Sequence, residues 1–174
     1  MKKELETILE KLKDIHYGYV DKNKNIYPDS LKDWNRNFAN LYHLQSPEEL
    51  IKNKYGVCGD QVELERYYLE NNKIPCKSYF IIAYDKKQEP THTFMVIENN
   101  KYYWMEHSWE PYLGIHEYSS LEELLLDVKS KFIKSIEKEK VKDYEISIYQ
   151  YEKPKEHLNA IEFMNHCETG IKIK

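Results

Sequence analysis

The 174-residue chain reads as an α+β domain, because segments with helical spacing of apolar residues flank a block of three runs rich in aromatic and β-branched residues. Leu5, Ile8, Leu9, Leu12 and Ile15 recur on one face of a first helix. The polar stretch 17–45, with Gly18, Pro28 and many Asn and Asp residues, reads as loops with short helical turns. Ser46-Pro47-Glu48-Glu49 supplies an N-cap, a proline at the first helical position and a glutamate three residues after the cap, so a short helix starts there. Gly56 breaks it, and a longer central helix is predicted from Cys58 to Glu70, ending at Asn71-Asn72. Residues 78–84, 91–98 and 102–109 are the three strands, apolar on both faces as strands in the middle of a covered sheet are. Ser120-Leu121-Glu122-Glu123 caps a helix expected to last to Lys138. Residues 144–151 alternate as a further strand, and Leu158, Ile161 and Met164 mark a last helix stopped by Gly170. No repeat or linker divides the chain, so residues 1–174 are read as one domain.

Composition narrows the function. Mean hydropathy is −0.82, but 16 Tyr and 3 Trp carry apolar area that such an average undercounts, so a folded, tyrosine-rich core is expected. The 26 basic and 30 acidic residues are mixed along the chain with no basic stripe, which argues against nucleic acid as a partner. There is no signal-peptide-like start and no apolar run of membrane-spanning length, so a cytoplasmic protein without a membrane partner is expected. Cys58, Cys76 and Cys167 are odd in number and lack paired spacing, which disfavours a disulfide framework. Cys76 and Cys167 read as structural thiols.

Cys58 differs from them. It lies in Gly56-Val57-Cys58-Gly59-Asp60-Gln61, at a helix start, where unpaired amides and the helix dipole favour a thiolate. The flanking glycines suggest close approach of substrate to the backbone, and the Cys58 amide is a candidate oxyanion donor. His92 opens the second strand and Glu106 lies on the third, giving a nucleophile, a base and a carboxylate that orients the base. Hairpin register decides whether they meet. A plain two-residue Asn99-Asn100 loop would set His92 opposite His107 and turn Glu106 away, making His107 the rival third member. A three-residue turn that includes Lys101 sets Glu106 diagonal to His92 on the same face, and this register is favoured. Trp34, Tyr42 and Gln45 are candidates for a second oxyanion donor. Asp60, Gln61 and Arg66 on a buried helix would need internal partners such as Glu63 or Glu65. His116 reads as a loop support, and the group Tyr102, Tyr103, Trp104, Trp109 and Tyr112 as core, with some members free to wall a groove.

Gly56-Val57-Cys58, His92-Thr93-Phe94-Met95-Val96 and Tyr102-Tyr103-Trp104-Met105-Glu106 resemble, in order and spacing, the motifs of the transglutaminase-like branch of the papain-like cysteine enzymes. There a G-x-C sequence starts the central helix, a histidine opens a strand and an aspartate follows the next strand. Glu106 stands where that aspartate is usual. The resemblance covers residues 55–109 in detail and implies a papain-like fold, with the cysteine-bearing helix packed on an antiparallel sheet. It implies an acyl-transfer enzyme for amide bonds (peptidase, amidase or transferase) acting on a peptide or protein, or a relative that keeps the fold as a binding module without activity. No cofactor is expected: Cys58, His92, His107 and His116 lack the paired spacing of zinc ligands, and no calcium loop or glycine-rich phosphate loop is present.

Overall fold

The structure, a computed structural model, describes residues 1–84, 89–138 and 145–173. Helix α1 (Lys2–Glu10) is followed by strands β1 (His16–Val20) and β2 (Ile26–Pro28), then helices α2 (Phe38–Leu41) and α3 (Pro47–Asn53). The two-residue strand β3 (Tyr55–Gly56) leads into the central helix α4 (Cys58–Asn71). Strands β4 (Cys76–Tyr84), β5 (Thr91–Asn99), β6 (Lys101–Glu106) and β7 (Gly114–Tyr118) precede helix α5 (Leu121–Lys138). Strand β8 (Glu145–Tyr151), helix α6 (Ala160–Glu168) and strand β9 (Ile171–Ile173) complete the order. Tyr144, expected to start β8, lies outside the described residues. No helix among the described residues is long and apolar enough to cross a membrane.

The main sheet has six strands in the order β7-β6-β5-β4-β8-β9, every neighbouring pair antiparallel. Its strands present alternate residues to two layers. Met95, Ile97, Tyr103 and Met105 pack with α1 and α4, whereas Phe94, Val96 and Trp104 pack with Leu124, Leu125, Val128, Phe132 and Ile136 of α5. Phe80, Ile82 and Tyr151 continue the first layer toward α6, where Phe163 and Cys167 close it. The sheet is thus covered on both faces, as its doubly apolar strands require.

Stretch 17–45 departs from the expected loops. It carries β1 and β2 as a hairpin, and β1 also runs parallel to β3, with Tyr17 opposite Gly56. The polar residues that suggested loop build the turn itself: the Asp21 carboxylate accepts the amides of Asn23 and Asn25, both at 2.9 Å. Gly18 sits at φ +152°, and a Cβ there would lie 2.7 Å from the Tyr27 carbonyl oxygen, so the strand that carries Tyr17 depends on a glycine at its centre. Strands β7 and β9 are likewise additions; His116, in β7, supports the turn before it as expected, its Nε2 2.7 Å from the Tyr112 carbonyl and its ring stacked on Trp104 at 4.6 Å.

Helix α4 is buried along most of its length, with Asp60, Gln61, Glu63, Glu65 and Arg66 all under 7% exposed. The expected polar network forms around Glu63. Arg66 Nε donates to Glu63 Oε2 at 2.8 Å and its Nη2 to Ser78 Oγ at 2.6 Å, while the Tyr151 hydroxyl donates to Glu63 Oε1 at 3.3 Å. A buried ion pair of this kind adds little net stability, but halving it leaves a charge with no counter-ion. Arg66→Ala is therefore expected to lower the unfolding free energy by about 3–5 kcal/mol. Loss of the Ser46 cap on α3, whose Oγ accepts the Glu49 amide at 3.2 Å, should cost about 1 kcal/mol. Urea unfolding of the two variants against the native chain measures both.

Candidate active site

The N-terminus of α4 is fixed by side chains that reach back to it. Val57 has no acceptor to offer as a cap, so the capping is one-sided: Asp60 Oδ2 accepts the Val57 amide at 2.9 Å, and Asp60 Oδ1 accepts the Gln45 amide at 2.8 Å. Burial outweighs these donors and lifts the Asp60 carboxyl to about 7. Gly56 and Gly59 serve this packing rather than substrate approach. A Cβ on Gly56 would lie 2.6 Å from Leu50, and one on Gly59 would lie 2.8 Å from Phe163.

Cys58, partly exposed, is the first residue of this helix. His92 lies on the α5 side of β5, its ring 6.5 Å from that of Phe94 and tilted against Trp109 at 4.8 Å. The hairpin register is the three-residue one: Glu98 pairs with Tyr102 and Met95 with Met105. Glu106 therefore falls on the same face as His92, and its Oε2 lies 2.8 Å from His92 Nε2. Strand β6 ends at Glu106 and pairs no further with β5 than Met95, which leaves the flank of His92 open to α4. With Nε2 engaged by Glu106, Nδ1 is the nitrogen left to face the thiol.

Glu106, 2% exposed, accepts from four further donors besides His92. Its Oε1 takes the amides of Ser108 (2.8 Å) and Trp109 (2.9 Å) and the Ser108 hydroxyl (3.0 Å), and its Oε2 takes Trp104 Nε1 (3.2 Å). Burial alone would raise this carboxyl, but His92 and the donors hold it below the ordinary range. Burial likewise opposes charge on His92, yet the Glu106 carboxylate and the thiol raise its imidazole to about 10. For Cys58, burial raises the thiol, and His92 beside it, with a smaller contribution from Thr93, outweighs burial and lowers it. The other two thiols move the opposite way: burial pushes Cys76 up to about 11 and raises Cys167 further. An imidazolium beside a thiolate is the arrangement that cysteine acyl transfer requires.

The geometry coincides with a family match. A family model described as a transglutaminase-like domain matches residues 1–149. The chain belongs to that family. No curated protein matches it.

Within this transglutaminase-like domain, a cleft of about 280 Å³ opens over His92, lined also by Tyr17, Pro90, Thr91, Trp109 and Phe132. Of the aromatic group read from the sequence, Trp104 and Tyr103 are core, and Trp109 is a cleft wall. Of the three oxyanion candidates, Gln45 and Tyr42 have other hydrogen-bond partners, and Trp34 packs beside Tyr17 at the cleft. Gln45 Nε2 donates to the Tyr55 carbonyl at 2.8 Å, the Tyr42 hydroxyl donates to Asp60 at 3.4 Å, and Trp34 packs among Tyr17, Tyr19 and Phe38. His107 is on the opposite face of β6 from Glu106, its Nδ1 2.6 Å from Gln61 Oε1, so it does not meet His92. Among the described residues no group of three His, Cys, Asp or Glu side chains could hold a metal.

Near Cys58, Tyr17 escaped the sequence, and Glu65 does not serve as the network partner expected of it. Tyr17 lines the cleft with His92 and lies close to Cys58. Glu65, two turns along α4, is 1% exposed, and its Oε2 has no partner among the described residues. Burial first, then the Glu106 charge, pushes its carboxyl well above the ordinary 4.5, which favours the neutral acid. A carboxyl raised by folding stabilises the fold fully below 4.5 and progressively less as pH climbs toward its folded value. Glu65→Gln does not titrate. Its urea midpoint relative to the native chain should therefore rise steadily as pH increases above 4.5.

Proposed function

We propose that this domain is a thiol-dependent acyl-transfer enzyme for amide bonds, with Cys58 as nucleophile, His92 as acid and base, and Glu106 as the carboxylate that positions His92. The observation that carries this is the run Cys58–His92–Glu106, in which only the thiol beside His92 is lowered while Cys76 and Cys167 are raised. The reading extends to a papain-like arrangement, a helix-borne cysteine meeting a histidine at the end of a sheet strand, in a reducing, cytoplasmic setting that keeps the thiol free.

In this mechanism the Cys58 thiolate attacks the amide carbonyl carbon. An S–C bond forms, and the carbonyl π pair becomes an oxyanion beside the Cys58 amide, which donates to it. Collapse breaks the C–N bond as His92 Nδ1 gives its proton to the leaving amine, and an acyl thioester remains on Cys58. Water or an acceptor amine then gives a proton to His92 and attacks the thioester, so that the thiolate leaves and His92 is again charged. Glu106 stays ionised throughout and stabilises the imidazolium. The cleft, bounded by Trp109 and Phe132 and open to solvent, suits a side chain or loop of a peptide or protein.

Alkylation by iodoacetamide, followed at each cysteine by mass spectrometry across pH, tests the reading. Cys58 should react far faster than Cys76 and Cys167 near neutrality, and His92→Ala should remove that advantage. Glu106→Gln should move the pH midpoint of Cys58 alkylation upward by about 1 unit or more, because the imidazolium loses its counter-ion. A native Cys58 no faster than Cys76 would instead favour a binding module that retains the fold without the chemistry.

A further inference from the structure

Tyr17 has no part in the nucleophile, base and carboxylate set, yet it is the side chain placed where the reaction would develop charge. It is held from three directions. Its backbone pairs with Gly56, two residues before Cys58, so the parallel β1–β3 contact fixes its distance from the start of α4. Its ring packs edge-on against Trp34, with centroids 5.8 Å apart and planes at 80°. Its side chain lines the cleft that His92 also lines, close to Cys58.

An oxyanion formed by attack of the Cys58 sulfur must lie one S–C and one C–O bond from that sulfur, on the side where the Cys58 amide points. Tyr17 borders that place, carried there by its pairing with Gly56 and lining the same cleft as His92. Gln45 and Tyr42 already donate to the Tyr55 carbonyl and to Asp60, and Trp34 reaches this region through its ring packed against Tyr17. Resting on the acyl-transfer reading above, we infer that Tyr17 is a catalytic residue, its hydroxyl being the second oxyanion donor beside the Cys58 amide.

The hydroxyl faces the thiolate before attack. As the negative charge passes from sulfur to the carbonyl oxygen, the O–H turns to follow it, so the site needs no water to enter and reorganise. Burial first, then the charge of Cys58, raises Tyr17 well above an ordinary phenol, so it keeps the proton it donates. A phenol on a backbone-fixed strand also has only two side-chain torsions to hold, which keeps the donor preorganised.

The test compares two reactions of the same thiolate. Alkylation by iodoacetamide builds no oxyanion. Acylation by p-nitrophenyl acetate does: the sulfur bonds to the carbonyl carbon, the π pair moves to oxygen, and collapse expels p-nitrophenolate, which needs no proton from His92. Both are followed at a pH where Cys58 is fully ionised, with Cys58→Ala as the background. Tyr17→Phe should lower the acylation rate constant by about 10²–10³-fold. Its alkylation rate, which also reports that the variant is folded, should change by less than about threefold.

An equal fall in both rates would overturn the proposal in favour of a role in placing the thiolate. No fall in either would show that the hydroxyl is not a donor to the oxyanion. A native protein that alkylates quickly at Cys58 yet releases no p-nitrophenolate burst would overturn the acyl-transfer reading itself, and the role of Tyr17 with it.

Discussion

A carboxylate withdrawn from water is what the site is built around. Glu106 is 2% exposed, and an ionised carboxylate in that position is tolerable only because five donors converge on it. Three of them come from Ser108 and Trp109, so the chain must turn sharply as soon as β6 ends. That turn carries Trp109 onto the face of His92 and leaves the end of β5 without a neighbour on that side. The same carboxylate then keeps the imidazole charged, and the charged imidazole lowers the thiol. One satisfied burial thus sets the strand end, the aromatic wall and the state of the Cys58 thiol together.

The N-terminus of α4 supplies the other half. Asp60 binds both the Val57 and Gln45 amides, tying the helix start to the segment before α3. Glu63, Arg66, Ser78 and Tyr151 lock the next turn to strands β4 and β8. A helix this polar inside a domain gains little from burial. What its network provides is a fixed axial position, and a nucleophile at a helix tip tolerates little axial slip. The raised Glu65 carboxyl fits the same picture, since a second full charge so near Glu106 would weaken its hold on His92.

Local signals were legible where chemistry is local. Ser46-Pro47 and the glutamate after them announce α3 in full, and Asn99-Asn100 with Lys101 contains the register that brings Glu106 to His92. The helix beginning at Cys58 could be read from Gly56 and the spacing behind it. Features set by distant pairing were not legible. Tyr17 looks like one tyrosine among 16, and only the parallel contact of β1 with β3 carries it to the thiol. Its strand is interrupted by Gly18, whose missing side chain weakens the alternation that would mark a strand. Gln45 and Tyr42 looked available as donors because the demand of Asp60 and of the Tyr55 carbonyl is invisible without the fold. Strands β7 and β9 are short and lie toward the two edges of the sheet, where neighbours rather than sequence decide whether a segment extends.

The hairpin between β5 and β6 bears on how such a protein can change over generations. Asn100, at φ 54°, is the left-handed residue that closes the turn between the paired Asn99 and Lys101. Losing or gaining one codon there would leave two strands able to pair, because main-chain bonding is indifferent to side chains. It would also exchange the two faces of β6, sending Glu106 to the side of α4 and bringing His107 toward His92. Single-base replacements at the turn are survivable by comparison. Lineages of this domain can therefore drift in the sequence of the turn but not in its length, and a descendant that altered that length would keep most of its architecture while separating Glu106 from His92.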